Sequence, residues 1–293
     1  MRTIIIDSSA LCYQAHFAVG QLAHMSQYTG VIYGFLRKLL YLSETMQSNQ
    51  FIFAWDSKRE DCVRRALYAG YKDRPNPVKG DDDKEKWERS YKQFSQLQHT
   101  VLPALGFRNS FQLKGFEADD IIATITKTYY PEDWGGFVIV SSDEDLYQLL
   151  DDCAMYLLSK KKFYTRTHLF EEYGITPTDW GRVKTIAGCS SDVVPGIEGV
   201  GAKTAAKFLA GKMKLDSVKY NKIADPANAE LFERNEKLVV LPHADCPDVE
   251  LIDFRDEDLA GADAISVFKQ FGFKSLINGK EWTRWSKMIN LPR

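Results

Sequence analysis

The chain has 293 residues, enough for one large domain or two ordinary ones, and its 44% hydrophobic content is that of a globular protein with a full core. Its 38 Lys and Arg against 40 Asp and Glu leave a net charge of −2, so bulk charge carries no nucleic-acid signal and only the distribution of charge is informative. Five scattered cysteines without a C-x-x-C pair, five histidines without metal-ligand spacing and only three isoleucines before Asp7 exclude a disulfide framework, a zinc finger, a signal peptide and a membrane span, and predict a soluble, cytoplasmic monomer with reduced thiols.

The first predicted strand is Thr3–Ile6, ending at Asp7, and the second is Phe51–Trp55, ending at Asp56. A basic segment follows, from Asp56-Ser57-Lys58-Arg59 through Arg64-Arg65 to Tyr71-Lys72-Asp73-Arg74-Pro75. Arg64 and Arg65 read as solvated helix charges, whereas Lys72 and Arg74 lie where they can reach a phosphate. The charged stretch from about 71 to 100 opens with the turn residues Arg74-Pro75-Asn76-Pro77, passes through Lys79-Gly80-Asp81-Asp82-Asp83, and becomes helical with Trp87, Tyr91, Phe94 and Leu97 on one face. It is either a solvated amphipathic helix over the sheet or a gate beside a cleft, and its length and aromatic content favour the gate. Further strands are predicted at Gly106–Phe111 and Phe137–Ser141, each leading into a helix, so the first part is an α/β fold with a parallel sheet. After Lys160-Lys161-Lys162 the pattern turns to short helices, with Leu238–Leu241 as one short strand candidate. A boundary near residue 170 divides a catalytic domain, 1–170, from a helical domain, 171–293.

In a parallel α/β sheet the strand C-terminal ends open into one ligand crevice. Asp7 and Asp56 fall there, as do Glu117, Asp119 and Asp120, and then Asp143 and Asp145. A helix needs one acidic cap, not three, so the excess points to cation binding. Crowded carboxylates raise one another's pKa unless cations neutralise them, and hard oxygen donors suit Mg²⁺ or Mn²⁺ acting on a phosphodiester. A second motif runs from Pro195 through Gly196, Gly199 and Gly201 to Lys203, Thr204 and Lys207. Glycines before a helix let backbone N–H groups approach a phosphate, and the two lysines are one turn apart. Lys212, Lys214, Lys219 and Lys222 follow, which makes a helix–hairpin–helix at about 184–210 that grips a DNA backbone without reading bases.

Together these residues resemble the bacterial and bacteriophage 5′-nuclease family, which includes flap endonucleases and the 5′→3′ exonuclease domain preceding bacterial DNA polymerase I. Phe-Glu-Ala-Asp-Asp at 116–120, Asp-Glu-Asp-Leu-Tyr-Gln-Leu-Leu at 143–150, Gly-Tyr-Lys at 70–72 and Pro-Gly-Ile-Glu-Gly-Val-Gly-Ala-Lys-Thr-Ala at 195–205 match in order and spacing. The likeness runs from Asp7 to about Leu276, so a stand-alone form without a polymerase is expected, in a bacterial cell or, more so, a phage-infected host. The resemblance implies a PIN-like twisted sheet with helices on both faces and a helical arch at about 71–100, then a mostly helical domain with a helix–three-turn–helix.

It further implies a first metal site at Asp7, Asp56, Glu117 and Asp119, with Asp120 nearby, and a second at Asp143, Asp145 and Asp192. Lys72 would stabilise the scissile phosphate with Arg74 beside it, and Tyr71 and the glycine turn (Gly196, Gly199, Gly201, Lys203, Thr204, Lys207) would contact DNA. Mg²⁺ would be the cofactor, replaceable by Mn²⁺, with K⁺ at the glycine turn. The substrates implied are DNA 5′ flaps, junctions and 5′ ends, and the partners replication proteins. The sequence departs from the family pattern at three points. The family's Gly-Asp-x-x-Asp-Asn is Gly188-Cys189-Ser190-Ser191-Asp192-Val193, Gln14 stands where an arginine is usual, and Arg74 is one residue closer to Lys72. A thiol is a poor Mg²⁺ ligand, so a weak second metal site is expected. Two alternatives are a PIN-type ribonuclease, which the lysine-bearing glycine turn opposes, and a non-catalytic DNA-junction binder whose second metal site has decayed.

Overall fold

The computed structural model describes residues 2–74, 80–259 and 261–292, so the expected turn at Pro75–Pro77 and Lys79 lies outside the described residues. Strands β1 (Thr3–Asp7) and β2 (Phe51–Trp55) are buried throughout, as expected of near-continuous β-branched and aromatic runs in the middle of a parallel sheet. With β3 (Ser110–Gln112), β4 (Phe137–Val140), β5 (Cys153–Leu157) and β6 (Lys162–Tyr164) they form one sheet of order β3-β2-β1-β4-β5-β6. All neighbouring strands are parallel except β5 and β6, which pair antiparallel through Tyr156 and Phe163. The chain builds outward from β1 on one side and then returns to build outward on the other. Ile5 lies between Ile52 and Ile139 at this reversal, so the crevice above the C-terminal ends of β1, β2 and β4 is the topological switch point.

Side chains alternate across the sheet. Ile4, Ile6, Phe51 and Phe53 face α1 (Ser8–Val19) and α2 (Gly30–Met46), where the C-terminal helices α11 (Gly261–Gln270), α12 (Lys274–Ile277) and α13 (Gly279–Ile289) complete the layer through Phe268, Leu276 and Trp285. Ile5, Ile52 and Ile139 face α5 (Ala118–Thr128) through Ile121, Ile122 and Ile125. The same apolar layer continues into α6 (Arg166–Tyr173), α7 (Trp180–Ala187) and α8 (Ala202–Leu209) by way of Leu169, Trp180, Val183 and Ala205, so apolar packing is continuous across residue 170. Between β2 and β3 lie α3 (Val63–Leu67) and α4 (Asp81–Gln96). Trp87, Tyr91 and Phe94 of α4 pack on Tyr13, His16 and Phe17 of α1, with His16 stacked on Trp87 at 4.1 Å and Tyr13 edge-on to Phe94 at 5.4 Å. The charged excursion is therefore fastened by its aromatic face to the helix that Asp7 starts.

The observed elements differ from expectation in four places. The third strand begins at Ser110, because Gly106 turns with φ +87 and the Asn109 side chain donates to the Ile252 carbonyl. β5 and β6 were not expected. Their hairpin turn carries Lys160 and Lys161, where the sequence pattern reads as turning to short helices. Leu238–Leu241 is not a strand. Helix α10 (Ala229–Val239) runs into it, and the carbonyls of Leu238 and Val239 are taken by Arg64 Nε and Gln148 Nε2, which leaves them unavailable to a ladder. Arg64 is buried rather than solvated. A further helix is α9 (Val218–Ala224). Among the described residues no helix is long and apolar enough to cross a membrane.

The glycines of the second motif have different duties. A Cβ on Gly196 would sit 2.1 Å from the Ala187 carbonyl carbon, whereas one on Gly201 would meet nothing within 4 Å. Gly196→Ala is therefore expected to cost about 1–3 kcal/mol through backbone displacement, read as a lowered urea midpoint. Gly201→Ala should stay within about 0.5 kcal/mol of the parent. Equal midpoints would refute this division.

Candidate metal centre and nucleic-acid interface

Asp7 ends β1 and caps α1, accepting the Ala10 N–H on Oδ1 at 2.9 Å, while Oδ2 accepts the Ser141 hydroxyl at 3.1 Å. Asp56, just past β2, accepts the Ala118 N–H at 2.9 Å and donates its own N–H to Ser9 Oγ at 3.1 Å. Ser141 Oγ in turn accepts the Asp143 N–H, and Asp143 Oδ1 accepts the Asp145 N–H at 2.9 Å. The ends of β1, β2 and β4 and the start of α5 are thus stitched together by backbone amides and two serine hydroxyls. These bonds fix each carboxylate while leaving oxygen lone pairs for a cation.

The electrostatics show the crowding. Burial, then Asp56, pushes the Asp7 carboxyl up to about 7. Burial, then Asp145, pushes Asp143 up to about 6. Burial raises Asp119 well above the usual carboxylate range, with Asp143 and Asp7 adding to it. Asp56 is also raised by burial, against which the Lys72 ammonium works. Asp7, Asp56, Asp119 and Asp143 therefore form a first acidic group of oxygen donors that repel one another, bordered by Glu117, which is paired with Lys72. Asp143, expected in the second site, stands between this group and Asp145 and Asp192.

The neighbouring group is different. Asp145, Cys189 and Asp192 bring their ligand atoms within 4.8 Å of one another. Lys184 of α7 already pairs with Asp145 Oδ1 at 2.6 Å, and the Cys189 thiol, with one proton to donate, lies 3.4 Å from Asp145 Oδ2, 3.6 Å from Asp192 Oδ2 and 2.8 Å from Ser191 Oγ. Burial, then Asp145, pushes that thiol up to about 12, so it stands as a neutral donor. Lys72 bridges the two groups. Its ammonium pairs with Glu117 and lies 3.6 Å from Asp192 Oδ1, the atom that Arg74 Nη2 also approaches at 3.6 Å. Lys72 has φ +50, with its N–H on the Asp192 carbonyl at 2.7 Å, and Val193 next to Asp192 has φ +58.

Of the expected site residues, the structure brings together Asp7, Asp56, Glu117, Asp119, Asp143, Asp145, Asp192, Lys72 and Arg74. Asp120 points elsewhere. Both its oxygens receive Arg64, at 2.5 and 2.7 Å, and the His243 N–H donates to one of them. Tyr71 is also inside, with its ring 2% exposed and its hydroxyl donating to Glu117 Oε2 at 2.6 Å. Arg65 donates to the Tyr71 carbonyl at 2.8 Å. Ser9, Ser141 and Lys184 are the site residues that sequence reading missed, and Arg64 is one that it read as solvated. Lys184 carried a faint signal, a lysine within the apolar pattern of α7.

At the glycine turn, Ile197 and Val200 are buried and anchor the loop, and Gly199 takes φ +77. Lys203 and Lys207 are exposed on α8, and Thr204 is half-buried. Helix α10 braces the turn through Asn235 Nδ2, which donates to the Thr185 and Pro195 carbonyls at 3.0 and 2.9 Å.

The donor chemistry separates the two acidic groups. The first, with oxygen donors alone, fits a hard divalent ion such as Mg²⁺ or Mn²⁺. The second includes a neutral thiol in place of a carboxylate and fits such an ion less well, while each group holds one ammonium, Lys72 at Glu117 and Lys184 at Asp145.

A family model described as the 5′–3′ exonuclease, N-terminal resolvase-like domain, matches residues 2–174. DNA polymerase I of Deinococcus radiodurans is 33% identical over 221 residues, 73% of this chain and 21% of that protein. DNA polymerase I of Bacillus subtilis is 27% identical over 94% of this chain and 32% of that protein. The chain thus spans a third or less of the length of these polymerases. In fold it is similar to the bacteriophage T5 5′-exonuclease solved with zinc bound, with a TM-score of 0.68 at 19% identity over 83% of this chain and 90% of that one. Human GEN1 in complex with Holliday junction DNA gives a TM-score of 0.55 at 16% identity over 94% and 70%. The sheet, the acidic switch point and the match over more than half the chain define a nuclease-type α/β domain, and the chain belongs to the 5′–3′ exonuclease family.

The raised acids have a measurable consequence. Between the usual aspartate value of 3.8 and about 7, the folded protein holds a proton on Asp7 that the unfolded chain gives up. Without divalent ions, stability should therefore fall as pH rises through that window. Urea midpoints of metal-free protein are expected to be higher at about pH 5 than at about pH 8, and saturating Mg²⁺ should restore most of the loss at the higher pH. A midpoint that rises with pH in EDTA would contradict the electrostatic account.

Proposed function

We propose that the chain is a Mg²⁺-dependent 5′ nuclease that hydrolyses DNA phosphodiesters at 5′ flaps, junctions and 5′ ends. The observation that carries this reading is the oxygen-only carboxylate group at the switch point, with Lys72 and Arg74 beside it and the lysine-bearing glycine turn on the same chain. Mg²⁺ or Mn²⁺, held by Asp7, Asp56, Glu117, Asp119 and Asp143, would activate water and offset charge on the phosphate.

The chain's own residues do the rest. A phosphodiester entering the crevice competes with Glu117 and Asp192 for the Lys72 ammonium and the Arg74 guanidinium, and these donors then stabilise charge on the reacting oxygens. Lys203 and Lys207 hold the duplex backbone, and the side-chain positions of Gly199 and Gly201 are open, which leaves a phosphate room to come close to the turn. Gly196 and Tyr71 serve this interface from inside, as packing and as a hydroxyl donor to Glu117. Asp120 drops out of the ligand set because Arg64 occupies it. Helix α4, pinned at its aromatic face, lies beside α1 as the arch for a single-stranded 5′ end, and a K⁺ ion suits the carbonyls of the glycine turn. The T5 flap endonuclease complex with DNA and metal ions, and the GEN1 complex with a Holliday junction, support branched DNA as substrate. A cytoplasmic monomer working with replication proteins is the corresponding cellular reading, with residues 1–170 as the nuclease domain and 171–293 as its DNA-binding partner.

The thiol and Lys184 at the second acidic group favour one alternative, a DNA-junction binder with attenuated hydrolysis. A labelled 5′-flap DNA, a duplex with a recessed 5′ end and a single-stranded RNA, each with and without Mg²⁺, separate these readings from a ribonuclease. Asp119→Asn is expected to abolish Mg²⁺-dependent flap cleavage with DNA binding retained. Lys72→Ala should lose about a hundredfold or more in single-turnover rate, the scale for one well-placed donor. Retained turnover in Asp119→Asn would end the metal-centre reading, and a Lys72→Ala rate within threefold of the parent would move Lys72 out of the chemistry.

Cys189→Asp supplies the hard ligand that the second group lacks. It is expected to shift the Mg²⁺ dependence of cleavage to lower concentration. An unchanged titration would make Cys189 an inert filler.

A further inference from the structure

Arg64 is fully enclosed, 1% exposed, yet it reaches three separate parts of the fold. From α3 its Nε donates to the Leu238 carbonyl at the end of α10 at 2.9 Å, and its two terminal nitrogens fork onto Asp120. Nη1 also stands 3.6 Å from Glu117 Oε2. Asp120 accepts two backbone N–H groups besides, from Glu117 at 3.2 Å and from His243 at 2.8 Å.

A buried ion pair of this kind adds little to stability over apolar side chains of similar volume, because desolvation offsets the attraction. What it fixes is geometry. The Glu117 backbone is held through Asp120, and the Glu117 carboxylate lies against the same guanidinium on one side and the Tyr71 hydroxyl on the other. The carbonyl that Arg64 grips belongs to α10, which one turn earlier clasps the glycine motif. Asn235 binds the Pro195 and Thr185 carbonyls, and Arg234 approaches the Pro195 carbonyl at 3.3 Å.

We propose that Arg64 is a positioning residue, which through Asp120 sets the Glu117 carboxylate for the divalent ion and for Lys72 and keeps it in register with the helix that braces the glycine turn. This inference rests on the reading of the first acidic group as a divalent metal centre. Ligand-orienting partners of this sort are worth about 10–100-fold in metal affinity.

The test measures Mn²⁺ binding by electron paramagnetic resonance on DNA-free protein, beside urea midpoints, flap-DNA affinity in EDTA and single-turnover rates at saturating protein. Arg64→Lys keeps the charge and loses the fork. It should stay folded and bind DNA as the parent does, with Mn²⁺ affinity down about 10–100-fold and a slower saturated rate. In a Glu117→Gln background the same change should cost Mn²⁺ affinity little further. Arg64→Met combined with Asp120→Leu should return the urea midpoint towards the parent's without restoring Mn²⁺ binding. Parent-like Mn²⁺ affinity in the double variant, or an equal cost of Arg64→Lys in both Glu117 backgrounds, would reduce Arg64 to a structural brace. If the double variant does not fold, Arg64→Lys decides, and parent-like Mn²⁺ affinity there overturns the proposal. A parent that neither binds Mn²⁺ nor cleaves flap DNA would instead overturn the functional reading beneath it.

Discussion

Like charges crowded into low-dielectric space must be held there by something, and the fold is arranged around that demand. Asp7, Asp56, Asp119 and Asp143 are raised together because burial strips their water and each sees its neighbours. The opposing forces are local and directional. Backbone N–H groups of Ala10, Ala118 and Asp145 hold the Asp7, Asp56 and Asp143 carboxylates, the Ser141 hydroxyl donates to Asp7, and Ser9 Oγ accepts the Asp56 N–H. Parallel strands buried on both faces supply the rigidity, since Ile4-Ile5-Ile6 and Phe51-Ile52-Phe53 have no solvated side along which to slip.

Two acidic groups of similar sequence signature have been resolved in different ways. Among the described residues the first has no resident cation paired with Asp7, Asp119 or Asp143, and burial and mutual repulsion raise these carboxyls. The second is largely answered from within, by Lys184 on Asp145 and by Lys72 and Arg74 at Asp192. Asp120 is a third case, an acid in the same run as Glu117 and Asp119 that serves a buried arginine. Carboxylate spacing alone does not distinguish these outcomes, because the partner of each acid comes from a distant part of the chain.

That distinction also marks how much was legible in advance. The central strands and the acids at their ends stood out because β-branched runs and terminal carboxylates are local signals. The glycine turn and its two lysines were equally local. β5 and β6 were hidden, because Cys153-Ala154-Met155 has no alternation and the lysines of the following turn read as the start of a run of short helices. The burial of Arg64, Lys184 and Tyr71 was not legible for one reason. It is conferred by α10, by Asp145 after β4 and by the loop at 189–193, which no short window of sequence brings near them. Leu238–Leu241 failed in the opposite direction: its residues favour strand, but their carbonyls are spent on side chains from other elements.

The positive φ of Val193 bears on the stiffness of the second acidic group. A β-branched residue in the left-handed region raises the free energy of the resting loop by about 1–3 kcal/mol, a load that Asn at this position would largely escape. Such a backbone persists only where its surroundings over-determine it. Here the Lys72 N–H is donated to the Asp192 carbonyl and Val194 pairs with Cys189, so the turn is clamped on both sides. The wall that carries Asp192 thus takes its shape from the backbone of Lys72 as much as from its own sequence, whereas Asp7 and Asp56 take theirs from the strands that they end.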